Sequence, residues 1–291
     1  MTPREAFRRN RRRWEENFFK GLMYLSTLVV VGSLLLIMLT IVWKGLPSLS
    51  LSMITKTPKG GYYLGKEGGI LNAIVGSLYL AGGATVLAVL LSLPVVLYLN
   101  LYTRKYSRLG TFVRFSFDVL WGVPSIVYGA FGFVFMVALG LKTSLLAGII
   151  VVALLEFPIM SRAVDEVMQL VPRDLKDASY SLGATKLETA LKVIVRQALP
   201  GMVTGVLIAF GRGIGDAASV LFTAGFTDLV PTSLLQPAAT LPLAIFFQLG
   251  TPFPEVRERA YASAAVLTVL ILAISLVSRY LARRYGKHTI T

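Results

Sequence analysis

Six stretches of this chain are long and apolar enough to cross a bilayer, and nothing else in the sequence limits its fold so strongly. A membrane helix needs about 20 apolar residues to cover a hydrocarbon core about 30 Å thick. Residues 21–43, 70–99, 115–140, 144–160, 202–224 and 261–281 meet that demand. The second exceeds one perpendicular crossing, so it is expected to tilt or protrude. The fourth is short. The second, third and fifth carry internal glycines, as closely packed bundle helices do. The first is too long for a signal-peptide core and has no small-residue cleavage site, so it reads as a retained helix. With 55% apolar and only 15% charged residues, a soluble enzyme is excluded. Cysteine is absent and His288 is the single histidine, which removes disulfides, thiolate metal sites, cysteine nucleophiles and histidine-based triads. The expected fold class is an all-α membrane protein with six transmembrane helices.

Basic residues orient the spans. With both termini in the cytoplasm, the tail to Lys20, the 100–114 loop, the 161–200 loop and the C-terminus carry 21 Lys and Arg, against seven on the other side. The bias fits the positive-inside rule and predicts cytoplasmic termini. The lysines of the 44–69 loop are a mild violation. The basic tail, 1–20, has its arginines at 8–13 beside Trp14, Phe18 and Phe19, and reads as a juxtamembrane anchor on membrane lipid rather than a nucleic-acid site. Residues 21–291 form the membrane domain.

The cytoplasmic loop 161–200 has helical periodicity. Val164, Val167, Met168 and Val171 share one face. After Pro172, a short stripe of Leu175, Ala178 and Leu182 leads to Gly183, a natural left-handed helix stop. Thr185 and Glu188 have capping-box spacing. Leu187, Leu191 and Ile194 continue a third face, which Pro200 is expected to end. A short amphipathic helix at this place either lies on the membrane surface or docks in a partner's groove.

Arg212 is the one basic residue inside a span. Charge in a bilayer is costly and marks function by default. It stands in Gly211-Arg212-Gly213-Ile214-Gly215-Asp216, where each glycine costs a helix about 1 kcal/mol, so close approach of a helix or a solute is the expected reason. A guanidinium matches oxyanions bidentately. Asp216, at i+4, is placed to neutralise Arg212 in the absence of an anion. The pair is either a stepping site for an anion or a structural helix tie. Asp118 lies near the cytoplasmic end of the third span and reads as water-facing. Glu156 reads as a protonated or Arg-paired carboxyl. Residues 60–66 nearly spell a P-loop, but Glu67 stands where Ser or Thr would bind magnesium, and no strand precedes it, so no ATP site is assigned.

The stretch Asp177-Ala178-Ser179-x3-Gly183 resembles the E-A-A-x3-G motif of ABC-importer permeases, with Asp for Glu, Ser for the second Ala, and Arg196 where the family has Pro. Residues 211–216 and Gly122-Val123-Pro124-Ser125-Ile126-Val127-Tyr128-Gly129 further resemble the PstA-type phosphate-import permeases, and the likeness extends over about 70–280. The resemblance implies the type I ABC-importer permease fold, whose first helix wraps a partner. It implies a non-catalytic subunit of an ATP-driven phosphate importer. Asp177, Ala178, Ser179, Leu182 and Gly183 would couple to the ATPase, and Arg212 and Asp216 would line the substrate path. The implied partners are a second permease (PstC-type), an ABC ATPase dimer (PstB-type) that holds ATP and Mg, and an extracytoplasmic phosphate-binding protein (PstS-type). The membrane would be a bacterial or archaeal plasma membrane. A same-fold permease for sulfate or molybdate, an ion-gradient transporter and a non-transporting sensor are the rival readings.

Overall fold

The structure is a computed structural model that describes residues 3–59, 68–103 and 107–286. The P-loop-like 60–66, Glu67, Arg104, Lys105 and His288 lie outside the described residues. No strand occurs among the described residues. Among the described residues five helices are long and apolar enough to cross a membrane, and a bent pair makes six when it is counted as one span.

The first is α1 (Pro3–Gly45), which runs through the basic tail into the first span without a break. After a 3-10 turn at Leu46–Ser48 and α2 (Leu51–Thr55), α3 (Leu71–Leu101) extends over 31 residues. At 1.5 Å per residue that is about 46 Å, longer than the hydrocarbon core, as the sequence implied. α6 (Leu145–Gln169) joins the short fourth span to the first helix of the loop as a single rod. It is the centre of the molecule: 67% of its most apolar stretch is buried, against none for α1. Its neighbours are α3, α9 (Val195–Ile214), α4 (Arg108–Trp121) and α5 (Ser125–Ala138). Small residues Ala81, Ala84 and Ala88 of α3 are fully buried, which lets the backbones approach and supplies the packing that association in lipid requires. At the periphery, α11 (Pro254–Gly286) packs on α9, α10 (Leu241–Leu249) and α1.

Three expectations are corrected. The third span is two helices, α4 and α5, bent by 98° at Gly122–Pro124. Pro124 has no N–H and disfavours helical backbone at Val123, so α5 restarts with Pro124 as its N-cap. Pro200 does not end its helix. The chain passes from α8 (Lys186–Glu188) through a π-helical turn at Thr189–Ile194 into α9, with Pro200 inside. Pro94 and Pro158 are likewise inside α3 and α6. In a bilayer, unwinding would bare several backbone groups where a proline removes one bond, so the helix persists. The wider π turn brings Thr189, Ala190 and Ile194 to the buried face, while Leu187 and Leu191 stay exposed.

The fifth span is also shorter at its far end than 202–224. α9 stops at Ile214, and 215–240 is irregular. That loop is tied into the bundle: Ser144 N–H donates to Thr223 O at 3.0 Å, Leu145 N–H to Gln236 O at 2.8 Å and Leu146 N–H to Leu234 O at 2.8 Å. These are the donors that the start of α6 leaves without intrahelical partners. Asn72 Nδ2 of α3 donates to Thr227 O at 2.7 Å, and Ser77 Oγ accepts from Leu241 N at 2.8 Å. Non-helical backbone is stable at membrane depth only when protein buries and satisfies it in this way.

Candidate functional site

The early end of α9 sets the geometry around Arg212. The guanidinium belongs to the last helical turn, exposed, where unpaired carbonyls favour a cation. Asp216 lies beyond the helix, so the i+4 relation is lost. Its Oδ2 instead accepts from Ser219 N–H at 2.8 Å and caps the following turn. Among the described residues Arg212 has no ion pair, so the expected pairing with Asp216 is not formed.

The glycines beside it have separate reasons. A Cβ on Gly213 would lie 1.9 Å from Glu156 Oε1 and 3.0 Å from Val152 Cγ1, so this glycine admits α6. A Cβ on Gly211 would meet nothing within 4 Å. Gly211 borders an open cavity of about 400 Å³ between α9 and α11, lined also by Ile208, Ile214 and Ile274. Glu156 is fully buried. Its Oε2 accepts from Thr85 Oγ1 of α3 at 2.9 Å, and its Oε1 has no partner. Of the two expected states of this carboxyl, pairing with arginine does not occur among the described residues.

At the other end of α6, Pro172 starts α7 (Arg173–Ser181), and Gly183 turns the chain at φ +83°, a conformation that side chains disfavour. The capping box forms: Thr185 Oγ1 accepts from Glu188 N–H at 3.3 Å and Glu188 Oε2 accepts from Thr185 N–H at 3.0 Å. The expected stripe divides. Leu175 packs against the core, whereas Ala178 is exposed and Leu182 is 89% exposed. Asp177 is also exposed, and Ser179 Oγ bonds Thr189 Oγ1 at 2.9 Å, tying α7 to the π turn. Burial lowers the Lys176 amine below its ordinary value, and Arg173 adds to the effect while Asp177 opposes it.

Similarity to known proteins gives the family and the fold. The family described as "Binding-protein-dependent transport system inner membrane component" matches residues 97–287. The chain belongs to that family. This inner membrane component is 33% identical to the "Phosphate transport system permease protein PstA" of Haemophilus influenzae, over 92% of its own length and 94% of the relative's. It is 37% identical to "Phosphate transport system permease protein PstA 1" of Mycobacterium tuberculosis, over 75% of its own length and 72% of the relative's. It shares its fold with a chain of the inward-facing MetNI methionine ABC transporter, at a TM-score of 0.61 and 21% identity, covering 74% of this chain and 95% of that one. It is a multi-pass membrane protein with the permease fold of ABC importers.

One constellation in this inner membrane component was not foreseen. Asp165 of α6 is fully buried and receives Arg114 Nε at 2.7 Å and Arg114 Nη2 at 3.0 Å from α4. It also receives Asn100 Nδ2 at 2.7 Å from the end of α3 and Gln169 Nε2 at 2.6 Å. A carboxylate between buried Val164 and Met168 was the available signal, since such a group must be paired. Its partners come from helices 51 and 65 residues away, which spacing cannot reveal. The cluster borders a cleft of about 700 Å³ against α7, lined by Asn100, Arg114, Gln169, Lys176 and Tyr180 among others. Nearby, Arg162 Nε lies 3.4 Å from Asp118 and 3.0 Å from Glu166, so the half-exposed Asp118 is partnered as well as solvated.

Proposed function

We propose that this chain is the permease subunit of an ATP-driven phosphate importer and forms half of its translocation path. The observation that carries the reading is Arg212: an exposed, always-charged fork at the end of a membrane helix, with its nearest acid in sequence turned to another partner. Phosphate, rather than another oxyanion, is favoured because relatives named for phosphate transport match over more than nine tenths of the chain. Arg212 offers the passing anion a transient contact, and Asp216, as the nearest acid along the chain, tunes it.

Coupling falls to the exposed end of α7. Ala178 and Leu182 pack into a cleft of a PstB-type ATPase, Asp177 orients the contact, Ser179 holds α7 to its neighbour and Gly183 lets the chain turn back. ATP and Mg belong to those ATPase chains, and this subunit catalyses nothing itself. A PstC-type permease completes the path, wrapped by α1, whose apolar surface is exposed along its length. A PstS-type protein delivers phosphate on the outer face. Both termini lie in the cytoplasm, and the membrane is a bacterial or archaeal plasma membrane.

Proteoliposomes holding the four kinds of subunit test this. ATP-dependent uptake of labelled phosphate is expected, insensitive to a collapsed ion gradient. Arg212→Gln should lower it at least about tenfold, the loss of one charged hydrogen bond, with assembly intact. Uptake of sulfate in place of phosphate, or full activity of Arg212→Gln, would refute the reading.

A further inference from the structure

Glu156 is a buried titratable group that the proposed transport cycle leaves unused. It sits in mid-α6, fully buried, with α3 on one side through Thr85 and the end of α9 on the other through Gly213. Charge here would need compensation. Arg114 is committed to Asp165, Arg162 to Asp118 and Glu166, and no Lys or Arg among the described residues is within 4 Å of Glu156. Thr85 donates one hydrogen bond to Oε2, and α9 presents a glycine with no side chain to donate. A carboxylate would therefore be a buried charge with no cation beside it, one of the costliest arrangements a protein can hold. A carboxylic acid removes that cost. Neutral, the carboxyl keeps its bond from Thr85 Oγ1 and lies in close contact with Gly213 in the last turn of α9.

We propose that Glu156 carries its proton throughout and, as a neutral side chain bonded to Thr85 and packed on Gly213, seats the end of α9 against α3 and α6, thereby positioning Arg212. The arrangement explains how an acidic side chain is tolerated one helix away from an anion contact: neutral, it neither repels the anion nor cancels the guanidinium. It also explains Gly213, because a side chain there would collide with the carboxyl and push the helix end away from it. Arg212 follows directly: with Gly213 pressed on Glu156, the preceding residue projects to a different side, where it is exposed. Glu156 is thus a positioning residue, and this role rests on the reading of Arg212 as the anion contact.

Infrared difference spectra of the assembled complex, wild type minus Glu156→Gln at neutral pH, test the proton directly. A protonated-carboxyl C=O band that vanishes in the variant is expected, and only a carboxylate signature would overturn the proposal. Transport supplies the second measurement. Glu156→Gln keeps a neutral acceptor for Thr85, so uptake should stay within about twofold of wild type, whereas Glu156→Leu, similar in size but leaving Thr85 Oγ1 without its acceptor, should lose about tenfold or more. A Gln variant as inactive as the Leu variant would overturn it. If Arg212→Gln transports normally while the band is present, the anion path is wrong but the buried proton stands, so the two failures are distinct.

Discussion

The buried carboxylate of Asp165 gives the sharpest energetic test of the bundle. Its side chain has no solvent exposure, and the Arg114 side chain that grips it through two nitrogens keeps 19%. Replacing Asp165 with Leu leaves that guanidinium without its counter-charge and strips Asn100 and Gln169 of an acceptor. Breaking a buried pair from one side costs about 3–5 kcal/mol, and the fifth of Arg114 that reaches solvent argues for the lower end. The double variant Asp165→Leu/Arg114→Met removes both charges and fills the space with apolar atoms. A buried pair is seldom worth more than a well-packed apolar replacement, because each ion gave up its hydration to enter. The double variant should therefore recover most of what the single one loses. Thermal or denaturant unfolding of the purified complex in one detergent, across the two single variants and the double, measures the coupling. A loss under about 1 kcal/mol for Asp165→Leu, or a double variant no better than the worse single, would refute the reasoning.

The two glycines flanking Arg212 should behave oppositely. Gly213→Ala, with a Cβ only 1.9 Å from Glu156 Oε1, should destabilise by about 1–3 kcal/mol, whereas Gly211→Ala meets open space and should be neutral or stabilising in the same melt. Leu182, 89% exposed, should be replaceable by Ala with little change in the subunit's melting temperature but with loss of ATPase co-purification and of transport-linked hydrolysis. Lys176 gives a pH signature. Its amine is lowered from 10.5 in the folded state, chiefly by burial, so between the lowered value and 10.5 the unfolded chain binds more protons. Stability attributable to this group therefore rises with pH across that window, and below it the charged amine opposes folding. Lys176→Met should abolish that part of the slope in melts taken on the alkaline side.

Much of the local structure was legible because it depends on neighbours in the chain. The capping box at Thr185 and Glu188, the left-handed turn at Gly183 and the inward face of Val164, Met168 and Val171 each need only a few consecutive residues. Prolines were harder to read. Pro124 breaks its span and Pro200 does not, although both stand in apolar runs, because the outcome depends on what surrounds the backbone freed by the missing N–H. The site was half legible. Arg212 declared itself by being charged among apolar residues. Its separation from Asp216 did not, since i+4 has meaning only while a helix continues, and α9 ends at Ile214 where the loop 215–240 finds partners on α3 and α6.

Hydropathy by itself determined that the chain lives in a bilayer as helices, because span length and the cost of bare peptide groups allow a chain of this composition little else. Which buried polar groups meet was decided only in three dimensions. Thr85 with Glu156, and Asn100 and Arg114 with Asp165, join positions 71, 65 and 51 residues apart, and in lipid such pairings follow from which small-residue faces let two backbones approach.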